Sequence, residues 1–344
     1  MKHFCFPANG FFPRPTTLLT LAILLLGVAH SPAQKASDEN RKRFFAYVAN
    51  EFSDSVSVIN TKTNSVVTNI LVPENTVGPV GVAITPDGKR AYVSILDNGT
   101  VVVIDTLRMK AIKSINVGSG ASYLVVTPNG KRVYATSQGS EDVFVIDTET
   151  NEVVDTVAMG LTTNGIGVDP NGRYVYVTPA YVTMSAISVI DTYTNKVVNT
   201  INVGQGPIGV AFTPNGKYAY VTNLISSDVS VIDTHTNNVV TTIPVGAGPV
   251  GIAITPHGRY AYVADQNSNQ VSVIETSTNT VVDTINVGLT PEQLAISPDG
   301  RLVYVTNTVS NDVSVIETRT NEVVATIPVG EEPIGVAFSP EVRW

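Results

Sequence analysis

From residue 44 onward the chain alternates between apolar runs of four to seven residues and short polar punctuation. The runs are rich in Val, Ile, Tyr and Thr, and no 3.6-residue period lasts long enough to support a helix, so the pattern predicts β-strands throughout. Residues 207–246 show one unit, with strand A at 208–212, B at 218–222, C at 229–232 and D at 239–245. The A–B turn reads Thr-Pro-Asn/Asp-Gly, in which proline presets the first turn residue and glycine accepts a positive φ. The C–D turn reads Thr-x-Thr-Asn in six of seven copies, and only Thr106-Leu107-Arg108-Met109 departs from it.

The unit recurs at a nearly constant period. Tyr47, Tyr92, Tyr134, Tyr176, Tyr220, Tyr262 and Tyr304 are spaced by 45, 42, 42, 44, 42 and 42 residues. Seven copies of four antiparallel strands predict an all-β fold, a seven-bladed β-propeller, which hides its sheet edges by radial repetition. The C-terminal Pro333-Ile334-Gly335-Val336-Ala337-Phe338 is a lone strand A, whereas the chain enters at Phe44 with a lone B, C and D. Joining them closes the ring, which an open solenoid would not need.

Ahead of the repeats, Lys2 and Arg14 precede an apolar run at 18–28 that ends near Ser31-Pro32-Ala33. This predicts a secretory signal peptide over 1–33, too short to span a bilayer, then a flexible segment at 34–43 and the propeller over 44–344. The expected location is periplasmic, cell-surface or extracellular. The formal net charge of −8 becomes −10 without residues 1–33, which hold two bases and no acid. Nucleic acid, which needs a basic footprint, is therefore not favoured. Cys5 is the only cysteine, so no disulfide, thiolate nucleophile or haem-attachment motif is expected after cleavage.

Several constellations resolve into structure. Gly204-Gln205-Gly206-Pro207-Ile208-Gly209 and Gly246-Ala247-Gly248-Pro249-Val250-Gly251 fit a nucleotide fingerprint in spacing, but a strand follows where a helix N-terminus is required. His235 and His257 occupy turn slots, and no metal site is expected. Asp105, Asp147, Asp191, Asp233, Glu275 and Glu317 recur once per blade as turn caps, and the repeat tyrosines read as packing between blades. A single tryptophan, Trp344, and the lack of a cysteine pair disfavour a quinone cofactor. No catalytic residue and no cofactor are assigned.

Strand parity places the near-identical A–B and C–D turns on one face, and the B–C loops and D–A connectors on the other. Both length changes, near 72–77 and 179–185, fall on the second, variable face, and loops on a rigid scaffold usually carry recognition. Its connectors offer Glu74, Asn75, Ser119, Tyr123, Thr162, Asn164, Gln205, Ala247, Glu292, Gln293, Glu331 and Glu332. The loops add Glu51, Asp97, Gln138, Tyr181, Asn223, Gln266 and Asn307. Of these, Tyr123, Asn164, Tyr181, Gln293, Glu331 and Glu332 are the candidate ligand-binding residues, suited to a sugar, peptide or cationic ligand.

The quartets Tyr220-Val221-Thr222-Asn223 and Tyr304-Val305-Thr306-Asn307, with Val231-Ile232-Asp233-Thr234, resemble the YVTN family of β-propeller repeats. The resemblance implies a surface-layer or secreted YncE-like propeller, and more distantly the lactonase and quinoprotein propellers, so fold alone leaves function open. Three readings stand. The first is a binding or scaffold module for a protein, glycan or small molecule. The second is a lactonase-like or lyase-like enzyme that uses Glu331, Glu332 and Gln293. The third is a surface-layer subunit with an exposed apolar patch on its outer strands.

Overall fold

The computed structural model describes residues 44–73 and 78–340. The expected signal peptide, the 34–43 segment, Cys5, Glu74, Asn75 and Trp344 lie outside the described residues. Seven four-stranded antiparallel sheets form the blades of a propeller. Blade 1 joins both ends of the chain, with Pro333–Phe338 as its innermost strand A, then Phe45–Asn50, Ser55–Asn60 and Ser65–Leu71. The innermost strands of blades 2 to 7 are Pro79–Ile84, Ala121–Val126, Thr163–Val168, Pro207–Phe212, Pro249–Ile254 and Pro291–Ile296. In blade 5 the strands run Pro207–Phe212, Tyr218–Asn223, Asp228–Asp233 and Asn238–Pro244, within two residues of the sequence expectation.

Each blade has two apolar faces and cannot bury either alone. One aliphatic cluster therefore fills each interface, as where Tyr47 and Val58 of blade 1 meet Val93 and Ile104 of blade 2. The quartet Tyr-Val-Thr-Asn has a distinct task at each position. Its tyrosine crosses to the next blade, where the hydroxyl donates to the left-handed turn asparagine, as from Tyr220 to Asn279 Oδ1 at 2.6 Å and from Tyr304 to Asn64 Oδ1 at 2.9 Å. Its threonine takes the N–H of strand A and donates to a carbonyl of the next strand A. Thr222 does so with Gly209 N at 2.8 Å and Val250 O at 2.6 Å. Its asparagine ties strand B to strand C, as Asn307 Nδ2 does to Ser314 Oγ at 2.8 Å.

Met109 is the exception among the turn asparagines. It holds φ +50° without the short polar side chain that tolerates this region, and Tyr47 is left with a 3.4 Å contact to the Thr106 carbonyl. Met109→Asn is expected to stabilise the ring by about 1 kcal/mol, the conformational relief and new hydrogen bond outweighing lost packing of the methionine. A midpoint of thermal unfolding that fails to rise by ~2 °C would refute this account.

The outer strands carry the exposed aliphatic side chains that lateral assembly requires, but in a particular setting. Val67, Ile112, Val154, Val198, Val240, Val282 and Val324 are exposed, and each is the extra residue of a β-bulge between strands C and D. A bulge bends the outer edge and interrupts its hydrogen-bonding row, which blunts it against strand pairing.

Candidate channel-mouth site

The innermost strands approach one another so closely that their third residue is glycine in five blades. A Cβ built on Gly81, Gly165, Gly209, Gly251 or Gly335 would lie 1.7 to 2.8 Å from a carbonyl oxygen of the next blade. Blades 3 and 7 break this symmetry with Tyr123 and Gln293. The second position breaks with them, as Ser122, Asn164 and Glu292 replace the Val or Ile of blades 1, 2, 5 and 6. The other blades close the ring without such polar side chains, so these mark the lumen as the place where the repeat departs from what closure alone requires.

The side chains meet although their strands are far apart in sequence. The Tyr123 hydroxyl, from blade 3, donates to Glu292 Oε1 of blade 7 at 3.4 Å across the channel. Gln266 Nε2, from the B–C loop of blade 6, donates to Glu292 Oε2 at 2.5 Å. Both Tyr123 and Glu292 touch the channel space but are surrounded by protein, which removes most of their hydration. Burial pushes the Glu292 carboxyl up to about 7, opposed by the bonds from Tyr123 and Gln266 and assisted by the charge of Glu51. Burial also raises the Tyr123 phenol, with Glu292 adding to it. Glu51 is raised in turn by burial, then by Glu332 and Asp97.

A second cluster sits beside the first. Ser122 Oγ donates to Asn164 Oδ1 at 2.9 Å, and Gln138 Nε2 lies 3.1 Å from both Ser122 Oγ and Asn164 Oδ1. At this level the lumen encloses about 120 Å³, lined by the third and fourth residues of the innermost strands, including Tyr123, Leu124, Gln293 and Ile252. That is room for several waters or a small molecule. Among the described residues no group of three or more His, Cys, Asp or Glu is placed to hold a metal ion.

Charge is segregated between the two faces. Every Lys and Arg among the described residues lies in an A–B turn, a C–D turn or the strand segments adjoining them, except Lys113, midway along Lys110–Asn116, whose Nζ reaches back to the Thr150 carbonyl of a C–D turn at 3.1 Å. The variable face carries Glu51, Asp54, Asp97, Glu141, Glu331 and Glu332 in its loops and Asp142, Asp228, Asp265, Glu292 and Asp312 at its strand ends, with no described base. The repeat carboxylates of the other face serve as turn caps, as Asp147 Oδ1 does for the N–H groups of Glu149 at 2.8 Å and Thr150 at 3.0 Å.

Of the six candidates from sequence, the structure gathers Tyr123 and Gln293 in the lumen and sets Asn164 in the adjoining cluster. Glu332 presses on Glu51 at the mouth, and its N–H donates to Asn311 Oδ1 at 2.9 Å. Glu331 is exposed, its N–H bonded to Ser53 Oγ at 2.6 Å, and Tyr181 is exposed on the longer blade 4 loop, whose Met184 carbonyl accepts from Gly206 N at 2.9 Å. Asn223 and Asn307 are not loop residues as the sequence suggested. They end strand B, fully buried, because their side chains are consumed by strand C. Glu292 and Gln266 emerge as the partners that complete the site. Glu292 was visible as the one acid at a position otherwise filled by Val, Ile, Ser or Asn.

No curated protein sequence matches the chain significantly. Among solved structures, the chain superposes on hydrazine synthase of Kuenenia stuttgartiensis with a TM-score of 0.73 and 25% identity, covering 79% of this chain and 92% of that one. A protein of unknown function from Desulfotomaculum acetoxidans gives a TM-score of 0.77 at 17% identity, over 87% of this chain and 99% of that one. A protein from Bacteroides uniformis provisionally assigned as a 6-phosphogluconolactonase gives 0.70 at 16% identity, over 86% and 99%. These likenesses establish a shared propeller fold. In sequence, what the chain is similar to over residues 183–331 is the family described as lactonase, seven-bladed β-propeller.

Proposed function

We propose that this protein is an exported propeller of the YVTN type that binds a small ligand at the channel mouth of its variable face. The observation that carries the reading is the lumen cluster of Tyr123, Glu292, Gln293 and Gln266, which breaks the ring's repeat in blades 3 and 7. The ligand is uncharged or cationic. An anion, including a phosphorylated sugar lactone, meets no described base on this face and a set of carboxyls that already repel one another. A titration-calorimetry screen of polyols, amines, uncharged lactones and sugar phosphates tests it. An uncharged or cationic ligand is expected to bind, with at least a tenfold loss in Tyr123→Phe/Glu292→Gln. Binding confined to sugar phosphates, or unchanged in the double variant, would sink the proposal.

Hydrolysis of an uncharged lactone is a second reading, supported by the match over 183–331 and by a Glu292 carboxyl that exchanges its proton near neutral pH. It requires turnover that vanishes in Glu292→Gln while the fold persists. Binding without turnover leaves the first reading alone.

A further inference from the structure

The rim of the variable face carries a second pattern, separate from the lumen. The second residue of the B–C loop is apolar and half exposed or more in four blades, namely Phe52, Tyr181, Ile225 and Val309, and Leu289 on the connector into blade 7 is exposed to the same degree. The same loop position holds Asp97, Gly139 and Asn267 in blades 2, 3 and 6. Single exposed apolar residues need no explanation, but these are grouped. Tyr181 and Ile225 crown the adjacent blades 4 and 5, where the Ile225 side chain and the Val182 carbonyl both flank Gly206. Leu289, Val309 and Phe52 crown blades 7 and 1, where Leu289 N donates to Ser310 Oγ at 2.7 Å.

In a seven-fold ring these two apolar ridges stand nearly opposite each other, with the channel mouth and its Glu51 and Glu332 between them. We propose that the variable face docks a polypeptide segment whose lysines or arginines are flanked on both sides by apolar residues. The segment lies across the disc, its cations over the acidic mouth and its apolar ends on the two ridges. Charge complementarity selects this occupant. An anionic membrane or nucleic acid would be repelled by a face with nine acidic residues besides the buried Asp265 and the lumen's Glu292, and no described base. The proposal concerns the rim and does not require the lumen ligand.

Fluorescence anisotropy with three labelled synthetic peptides tests it on the full chain. One has leucine-rich ends around four central lysines, one has the lysines divided between its ends, and one has central glutamates. The first is expected to bind at least tenfold tighter than either other, to weaken as salt is raised, and to lose about tenfold in Ile225→Ser/Val309→Ser. Glu149→Lys/Glu322→Lys, on the opposite face, is expected to leave its affinity within twofold. Equal binding of the divided-lysine peptide, or no loss in Ile225→Ser/Val309→Ser with the melting temperature preserved, overturns the proposal.

Discussion

Deletion of residues 333–344 is expected to abolish the folded ring rather than trim it. Strand Pro333–Phe338 is the innermost strand of blade 1, paired with Phe45–Asn50, and Ser339 Oγ accepts from Phe45 N at 3.0 Å. Val336 is buried and packs with Phe338 at the blade 7–blade 1 interface, where the Phe338 ring meets Tyr304 edge-on with centroids 5.0 Å apart. Burial of Val336 contributes about 1.5 to 3 kcal/mol, the half-buried Ile334 and Phe338 add roughly half as much each, and the strand ladder adds to it. The sum is comparable with the whole stability of a typical domain, roughly 5 to 15 kcal/mol, so what remains should not melt cooperatively. Near-ultraviolet circular dichroism and thermal scans check this. An unchanged melting curve would show that the ring closes by other means. A permutant that places 333–340 before Phe44 with an Asp-Gly pair between Pro340 and Phe44, which restores the length of the other A–B turns, is expected to recover the native transition, because it keeps the same pairing with shorter loop closure.

Asp265→Asn is expected to stabilise the protein above neutral pH and to leave it unchanged near pH 4. Asp265 occupies the place of Asn50, Asn223 and Asn307 at the end of strand B, and it is fully buried with Oδ2 accepting from Ser272 Oγ at 2.6 Å. Burial pushes its carboxyl up to about 6. A carboxyl held above its unfolded value near 3.8 binds its proton more tightly when folded, so stability is full below about pH 4 and is lost as pH rises through 6. The loss is on the order of 2 to 3 kcal/mol. Asparagine stays neutral and can donate to Ser272 as Asn223 does to Ser230 at 2.9 Å, so the variant should recover most of that loss at pH 8. Denaturant unfolding at pH 4 and pH 8 measures both ends; a variant equally stabilised at the two would place the cause elsewhere than in ionisation.

The fold was legible because the repeat states its requirements over and over, the tyrosine in all seven blades, the A–B turn glycine and the C–D turn asparagine in six, and the quartet's threonine and asparagine in four and three. Tyr, Thr and Asn of the quartet, the turn Gly and the left-handed turn Asn each answer a backbone or interface need, and the lone strand A at the C-terminus announces closure. The lumen was only half legible. Tyr123 and Gln293 stand out as departures from glycine, but the contact between Tyr123 and Glu292 joins residues 169 apart, and only ring geometry brings them face to face. Asn223 and Asn307 misled for the opposite reason. A polar residue at the end of a strand resembles a loop residue until its partner on the neighbouring strand is seen.

The placement of every described base on one side has a consequence before any partner is touched. In the field of a charged surface the molecule experiences a torque, within the reach of roughly 8 Å that physiological salt allows. The base-bearing side also carries the repeat's turn carboxylates and is close to neutral, so beside a polyanionic wall the molecule is repelled least with that side inward and its aperture facing the open medium. Beside a polycationic one it turns over, so orientation alone determines which molecules can reach the opening.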